Sequence, residues 1–512
     1  MQAINRVIFN TGITYVKTVV TSLIALYSTR LILNALGAED FGIYNVVGGM
    51  IAMLAFLNAA MSTSTQRYIS YNLGTANIES VKKIFANSVI VHFAIGILLV
   101  MVIELVGIYL INNQLKINPA RIDVALYILH FVVASTFITV ISVPYDAVIN
   151  AHENMTFLAV VGVVESVLKL LIAFSLFFLT VDKLFVYGFF TMLCAIIIRI
   201  IKRIYSKRKY KECHVNFIKE YDIDQIKELN SFAGWSLFGT LCSLARNQGV
   251  AVVLNLFFVT VVNAAYGIAN QVNSQLMFFS QTMMSAMRPQ IMKSEGSNDR
   301  DRMIRLSLTA NQFSFYLFTF FALPFFFEMP FILKLWLKNV PEYTVEFCRS
   351  IILLTMVNQI NMGLMTAVQA IGKIKLYQVV AGSIQLLTLP IGFIFLKLNY
   401  PPYSIILASF VLEILSTIFR VFYFQYLTGY SAKLYFKRVL LNSFISLTPS
   451  LIMVYYIKTQ IISDWISFIV VCLVSSITYS LSIYFIGLTI NEKNMLKQLV
   501  INFKKKYKIK YK

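Results

Sequence analysis

Charged residues are scarce in this chain. Asp, Glu, Lys and Arg make up 13% of its 512 residues, whereas 58% are hydrophobic. A soluble protein of this length needs a far larger polar fraction to cover its cores. The mean hydropathy of +0.73 is likewise too high for an ordinary soluble protein. The composition excludes an ordinary soluble domain and predicts a polytopic membrane protein.

Residues suited to metal and enzyme chemistry are also scarce. The five cysteines lack CxxC spacing and the four histidines are scattered, so neither a metal site nor a disulfide framework is predicted. No Walker A loop, GxSxG or HExxH motif occurs. The longest loop on the predicted outer side has only about 15 residues, too few to build a catalytic site there. We expect no cofactor, no metal and no enzymatic activity.

Long apolar segments fill most of the sequence. A helix needs about 20 apolar residues to cross a bilayer, and by that measure we predict about fourteen membrane-spanning helices. The first run is too long for a signal-peptide core and lacks a small-residue cleavage site, so we keep it as a span. The predicted spans are 7–33, 41–61, 85–111, 122–148, 155–180, 184–204, 230–258, 262–287, 304–327, 344–370, 376–396, 403–424, 438–457 and 464–488.

Basic residues are distributed unevenly between the loops. The net charge is +21, which in a soluble protein would suggest nucleic-acid binding. With the N-terminus inside, about 31 of the 44 lysines and arginines lie on the cytoplasmic side and about seven on the outer side. The excess is therefore a topology signal, with attraction to anionic headgroups. We expect a multi-pass protein of the bacterial inner membrane with both termini cytoplasmic, and no nucleic-acid partner.

Short identities recur about 220 residues apart, which is typical of an internal repeat. A six-helix unit copied once in the same orientation predicts an all-α membrane protein with two lobes related by a parallel pseudo-two-fold axis and a site between them. The identities are Leu33-Asn34 with Leu254-Asn255, Arg67 with Arg288, Ala147-Val148 with Ala367-Val368, and Gly162 with Gly382. We predict an N-lobe (1–204), a basic cytoplasmic linker (205–228), a C-lobe (229–424), an additional hairpin (438–488) and a basic cytoplasmic tail (489–512).

Several polar residues interrupt the predicted spans and form a candidate substrate site. Charges in the hydrocarbon region usually face a water-filled cavity or a partner. Lys and Arg suit an anionic headgroup because they donate charge-assisted hydrogen bonds to phosphate oxygens. Alternatively, each cation merely pairs with a buried carboxylate. The predicted cationic cavity comprises Lys17, Arg246, Asn247, Asn270, Asn273 and Gln281.

Four other charged residues lie within the predicted spans. Glu165 and Lys169 have the spacing of a helix salt bridge, or they could take part in ion coupling. Glu413 lies in mid-span without an obvious local partner and could carry a proton. Arg420, near a span end, needs only an anchoring role.

Arg67 and Arg288 end spans two and eight at matching places in the repeat. They either serve the positive-inside topology or form a gate or substrate entrance.

Three segments carry a family resemblance. The segment Leu36-Gly37-Ala38-Glu39-Asp40-Phe41-Gly42-Ile43-Tyr44 resembles the Leu-Gly-x-x-(Glu/Asp)-(Phe/Tyr)-Gly-x-Tyr signature of bacterial polysaccharide-biosynthesis flippases, including those for O-antigen. These belong to the multidrug/oligosaccharidyl-lipid/polysaccharide exporter superfamily. Thr65-Gln66-Arg67-Tyr68-Ile69 and Ala370-Ile371-Gly372-Lys373 are also similar to the family. After span four, Ala151-His152-Glu153-Asn154 departs from the family's usual Gly-(Lys/Arg) turn.

The resemblance implies a secondary transporter that exports an undecaprenyl-pyrophosphate-linked oligosaccharide by alternating access. On that basis Arg246 and Lys17 are expected to hold the pyrophosphate while the polyprenyl tail stays in lipid. The expected partners are membrane lipid, the lipid-linked glycan and polysaccharide biosynthesis machinery such as a polymerase. We expect a monomer.

Two other functions fit less well. A cation-coupled multidrug exporter of the same superfamily needs an intramembrane carboxylate and usually has twelve spans, whereas the first span here offers Lys17. A membrane saccharide polymerase or transferase needs a substantial outward loop carrying catalytic residues, and the predicted loops are short.

Overall fold

The computed structural model describes residues 2–52, 55–115, 117–258, 260–460, 464–490 and 492–494. In these ranges the chain is helical with no strand, which confirms the predicted all-α fold class. The first helices are α1 (Gln2–Ala52), α2 (Ala55–Gly74), α3 (Ile78–Asn113), α4 (Ile122–Val140), α5 (Val143–Ala151), α6 (Met155–Ser175), α7 (Lys183–Lys209), α8 (Ile223–Phe257) and α9 (Thr260–Gly296). They are followed by α10 (Arg300–Leu337), α11 (Thr344–Gln359), α12 (Met362–Ile371), α13 (Ile374–Leu386), α14 (Thr388–Lys397), α15 (Ser404–Thr428), α16 (Ala432–Tyr435), α17 (Asn442–Gln460) and α18 (Asp464–Ser482).

Every predicted span falls on a helix or a pair of helices in these ranges. Twelve described helices are long and apolar enough to cross a membrane, judged by length and composition. The two predicted spans outside this group are the second and the eighth, which correspond to each other in the repeat. Polar residues such as Asn270 and Asn273 lower the hydropathy of the eighth, on α9, whereas residues 53–54 of the second lie outside the described residues.

Two spans are broken at matching places. The break between α4 and α5 lies at residues 141–142, and the break between α11 and α12 lies at residues 360–361, again about 220 residues later. In the first break Pro144 lies in the first turn of α5, where a missing N–H is tolerated. In the second, Asn311 Oδ1 of α10 accepts hydrogen bonds from the backbone N–H groups of Gly363 (2.5 Å) and Leu364 (3.3 Å). The free N–H groups at the start of α12 are thus satisfied by a side chain from another helix, whereas α5 has a proline without an N–H in its first turn.

Gly37 divides α1 into two helices. Its φ of 79° and ψ of 172° are non-helical and nearly exclusive to glycine. Three residues later, Asp40 Oδ1 accepts a 2.9 Å hydrogen bond from Arg121 Nε. Arg121 also pairs with Asp182, whose carboxylate caps the first turn of α7. Gly37 and Asp40, the glycine and acid of the signature segment, thus set the turn and tie it to two other helices.

The chain divides into two compact units. The N-terminal unit contains residues 10–240 and 292–298, and the C-terminal unit contains residues 1–9, 241–291 and 299–512. In the N-terminal unit, α3, α4 and α7 pack around Ile128 and Leu129. In the C-terminal unit, α10, α11 and α15 pack around Phe318 and Phe347. The lobe limits drawn from the sequence repeat stay a prediction.

The additional hairpin, α17 and α18, belongs to the C-terminal unit and packs against α10. Buried Glu328 of α10 connects it: one carboxylate oxygen accepts from Lys458 Nζ at 3.0 Å and the other from Ser467 Oγ at 2.7 Å. A second connection precedes the hairpin, where the Tyr435 hydroxyl donates to the Ile360 carbonyl at 2.8 Å. This carbonyl lies in the break between α11 and α12.

Replacement of Gly37 tests the turn within α1. A Cβ at Gly37 would meet no heavy atom within 4 Å, so Gly37→Ala changes only the backbone preference. We expect Gly37→Ala to lower the free energy of unfolding by about 1–3 kcal/mol, measured by denaturation in detergent. Gly42→Ala, which also places its Cβ in open space but in regular helix, is the matched control and should not destabilise the protein. Equal stability of the two variants would contradict the strained turn.

Candidate functional site

The predicted cation Lys17 lies in a charged cluster of the N-terminal unit. Lys202 Nζ of α7 approaches Asp146 Oδ1 of α5 at 2.9 Å. On α6, Lys169 Nζ donates to Glu165 Oε1 at 2.7 Å, which forms the predicted salt bridge. Asp146 lies within electrostatic range of both Lys17 and Glu165. Three lysines thus surround two carboxylates, and the cluster carries a net positive charge.

The C-terminal unit brings together three of the predicted substrate-binding residues. Arg246 donates from Nε and Nη2 to Asn247 Oδ1, both at 3.2 Å. The hydroxyl of Tyr266 on α9 donates to the Asn247 carbonyl at 3.4 Å. One turn later, Asn270 Nδ2 donates to the Tyr266 carbonyl at 3.0 Å. Tyr266, which the sequence did not single out, thus connects Arg246 and Asn247 with Asn270.

The other two predicted residues lie farther along α9. Asn273 Nδ2 contacts Met277 Sδ at 3.4 Å, and its Oδ1 is buried without a partner among the described residues. Gln281 is exposed and lies three turns beyond Asn270, about 16 Å along the helix. The predicted amides therefore form a line along α9 and not one compact pocket.

Glu413 has a partner that the sequence analysis missed. Its carboxylate pairs with Arg420 on the same helix, and both side chains are buried, with exposures of 1% and 7%. The expectation of Glu413 without a local partner was therefore wrong, and Arg420 is not a surface anchor. Residues seven apart on a helix share a face, which a search for pairs three or four apart overlooks.

The Glu413–Arg420 pair extends the charged site of the C-terminal unit. The ring centroid of Tyr377 lies 5.7 Å from the guanidinium carbon of Arg420. Arg246 lies within electrostatic range of both Glu413 and Arg420. This cluster also has more cations than carboxylates, two against one.

Arg67, a predicted gate residue, is buried in an aromatic cage of the N-terminal unit. Its guanidinium carbon lies 4.3 Å from the ring centroid of Tyr68, 5.1 Å from Tyr71 and 5.5 Å from Phe232. The other predicted gate residue, Arg288, belongs to the C-terminal unit. Its Nε is buried without a hydrogen-bond partner in the described part of the chain.

The last turn of α9 packs directly on the end of α2 within the N-terminal unit. A Cβ on Gly296 would lie 1.9 Å from the Tyr71 carbonyl oxygen, and a Cβ on Gly74 would lie 2.2 Å from that of Lys293. Only glycine at these positions permits so close a backbone approach. The two glycines lie about 220 residues apart, the spacing of the repeat.

Glu153, in the turn that departs from the family pattern, also holds this end of α9. Its buried carboxylate accepts from Lys293 Nζ at 3.0 Å. Its backbone carbonyl accepts from Asn10 Nδ2, also at 3.0 Å. The neighbouring His152 stacks on Tyr210 and pairs with Glu212.

The His152–Glu212 contact affects the ionisation of the carboxylate. Burial, the largest single influence, tends to raise the pKa of Glu212. The hydrogen bond to His152, a backbone hydrogen bond and the charge of His152 together outweigh it, so the pKa of Glu212 lies below its ordinary value. Glu212 therefore favours its charged form beside His152.

No metal site accompanies these clusters. No group of three or more His, Cys, Asp or Glu side chains in the described residues could hold a metal ion.

Comparison with known proteins gives similarity in structure only. No protein-family model and no curated sequence matches the chain. A MATE in the bent conformation is similar with a TM-score of 0.72 and 13% identity, over 84% of this chain and 97% of that chain. An outward-facing multidrug resistance MATE family transporter of the MOP superfamily has a TM-score of 0.67 and 14% identity, over 83% and 96% of the two chains.

A third similar structure is a MOP superfamily transporter from Pyrococcus furiosus, for which a binding pocket of reverse polarity is described as suggesting a different function. Its TM-score is 0.68 at 14% identity, over 83% of this chain and 96% of that chain. Together with the apolar helices, these similarities indicate a membrane protein. The chain shares the fold of these MATE and MOP superfamily transporters.

Proposed function

We propose that this protein is a secondary transporter of the bacterial inner membrane that flips a polyprenyl-diphosphate-linked oligosaccharide by alternating access. The observation that supports this proposal is the excess of cations over carboxylates among half-buried Arg246 and the buried Arg420 and Glu413. A cation without a matching anion is costly in an apolar environment. A diphosphate group would supply the missing negative charge.

The chemistry of the side chains supports the same cargo. A guanidinium forms paired hydrogen bonds with phosphate oxygens, and Arg246 currently directs two of its N–H groups to the neighbouring Asn247. The amides of Asn270, Asn273 and Gln281 follow along α9 and suit the hydroxyl groups of sugars. In this proposal the polyprenyl chain remains in lipid, and the protein works as a monomer beside the polysaccharide biosynthesis machinery.

Removal of Arg246 tests the diphosphate role. We expect Arg246→Ala to reduce flipping by about tenfold to a hundredfold, since a hydrogen bond to a charged group contributes about 1.5–3 kcal/mol. Flipping is measured in proteoliposomes and by restoration of surface polysaccharide in a deletion strain at matched membrane levels. Arg30→Ala, which removes an exposed arginine of α1, is the control and should flip normally. Full activity of Arg246→Ala would remove Arg246 from the mechanism.

The second candidate is a cation-coupled multidrug exporter, and one observation favours it. Glu413 is buried, and its Oε2 lacks a hydrogen-bond partner among the described residues, so it could bind a coupling proton. The pair Glu165–Lys169 is a further candidate for coupling.

Deletion of the gene separates the two functions. We expect loss of surface polysaccharide with unchanged drug resistance, because the cationic clusters would repel cationic drugs. An exporter would give the opposite result: resistance would fall, and Glu413→Gln would abolish ion-driven drug efflux while the protein still reached the membrane.

We also propose that the contact between α2 and the end of α9, with Arg67 on α2, acts as a cytoplasmic gate; the gate role of Arg288 stays a separate proposal. Glu153→Lys and Lys293→Glu should each reduce flipping about tenfold, because like charges would face each other where Glu153 is buried. The combined exchange should restore activity by re-forming the pair in reverse.

The exposed pair Lys227–Asp224 provides the control, since its side chains are 69% and 83% exposed. The same exchange there should leave flipping unchanged in the single and double variants. If the Glu153–Lys293 double exchange is as impaired as its single variants, the ion pair has no part in the gate.

A further inference from the structure

Gly162 of α6 lies directly beneath the side chain of Lys17. A Cβ placed on Gly162 would lie 2.6 Å from Cε of Lys17 and 3.3 Å from its Nζ. Both distances are shorter than ordinary van der Waals contact, so the path that Lys17 follows exists only because this residue has no side chain. The Gly162 carbonyl is already engaged, as it accepts from Ser166 Oγ at 3.0 Å.

Lys17 is also the one lysine of its described cluster that has no carboxylate partner. Lys202 is paired with Asp146, and Lys169 is paired with Glu165. Within the described ranges Lys17 makes no hydrogen bond or ion pair, although its charge is felt at Asp146.

Three threonine hydroxyls near Lys17 on α1 do not bond to it either. Thr14 donates to the Asn10 carbonyl at 2.8 Å, Thr18 to the Thr14 carbonyl at 3.0 Å, and Thr21 to the Thr18 carbonyl at 3.1 Å. The ammonium group of Lys17 is therefore free to bind a ligand.

We propose that Gly162 is a positioning residue for anion binding: its bare backbone lets Lys17 lie across α6 and hold its ammonium ready for a phosphate oxygen of the cargo. The inference rests on the proposed function. It adds a residue that touches no substrate and that acts only through Lys17.

The equivalent helices of the C-terminal unit, α8 and α13, contain a different contact. There, Ser243 of α8 donates to Gln385 Oε1 of α13 at 2.8 Å. Gln385 lies about 220 residues after Glu165, so it is the repeat counterpart of that carboxylate. The same pair of helices thus meets through a neutral hydrogen bond in one unit and through a lysine lying on a glycine in the other.

The atoms that a new Cβ would meet make Gly162→Ala a selective probe. They belong to the flexible end of a lysine and not to backbone, so the lysine can move aside without unfolding the protein. Alanine is moreover favoured over glycine inside a helix. The variant should therefore fold normally yet displace the ammonium group.

The experiment titrates the full-length protein in detergent with farnesyl diphosphate, and with farnesol as the probe lacking the charged group. We expect Gly162→Ala to raise the Kd for farnesyl diphosphate about tenfold, as expected for one lost charge-assisted hydrogen bond. The Kd for farnesol and the melting temperature should stay unchanged. In flipping assays KM should rise while the rate at saturation is kept. Gly12→Ala on α1, whose Cβ would lie in open space, should bind as the parent protein does.

A double variant decides whether Gly162 acts through Lys17. Lys17→Ala should weaken diphosphate binding about as much, and Gly162→Ala should add nothing in that background. Parent-like binding by Gly162→Ala, or additive effects in the double variant, would overturn the positioning role while leaving Lys17 as a ligand. If Lys17→Ala and Arg246→Ala both bind farnesyl diphosphate as the parent does, the diphosphate function itself fails, and this inference with it.

Discussion

The free-energy cost of a charge surrounded by hydrocarbon constrains this structure throughout. A lysine or arginine within a membrane-spanning helix must pair, reach water or bind a ligand. Here the pairing is incomplete in both units. The cluster around Lys17 contains one more lysine than it has carboxylates, and Arg246 shares a single carboxylate with Arg420. The threonines of α1, by contrast, donate to backbone carbonyls of their own helix. Our proposal of an anion-binding site rests on this excess of cations.

The sequence predicted the helices well because hydropathy and length alone determine which segments can cross a bilayer. It also predicted the Glu165–Lys169 pair, since the contact is local to one helix. Contacts between distant segments could not be predicted in this way. Asp146 and Lys202 meet only because α5 and α7 pack together. The break before α12 is stabilised by Asn311, a residue some fifty positions away.

Residues of the signature segment after the first predicted span have clear structural roles. Gly37 takes a backbone conformation that other residues avoid, and Asp40 binds Arg121 from another hairpin. The departure from the family pattern is equally informative. Glu153, where the family usually has a basic residue, takes a positive φ of 58° and binds Lys293. The residue that departs from the family pattern thus forms a buried ion pair in this chain.

The Tyr435 hydroxyl that reaches the Ile360 carbonyl has a consequence for how this architecture can change. A broken helix leaves backbone groups that need partners, and here the partner comes from the segment leading into the last hairpin. The final two helices are thus not a detachable extension. A chain shortened before residue 435 would retain all the helices of its repeat, yet it would leave one of them with an orphan carbonyl in a dry interior. Such a chain would need another hydrogen-bond donor for the Ile360 carbonyl, or a continuous helix in place of α11 and α12.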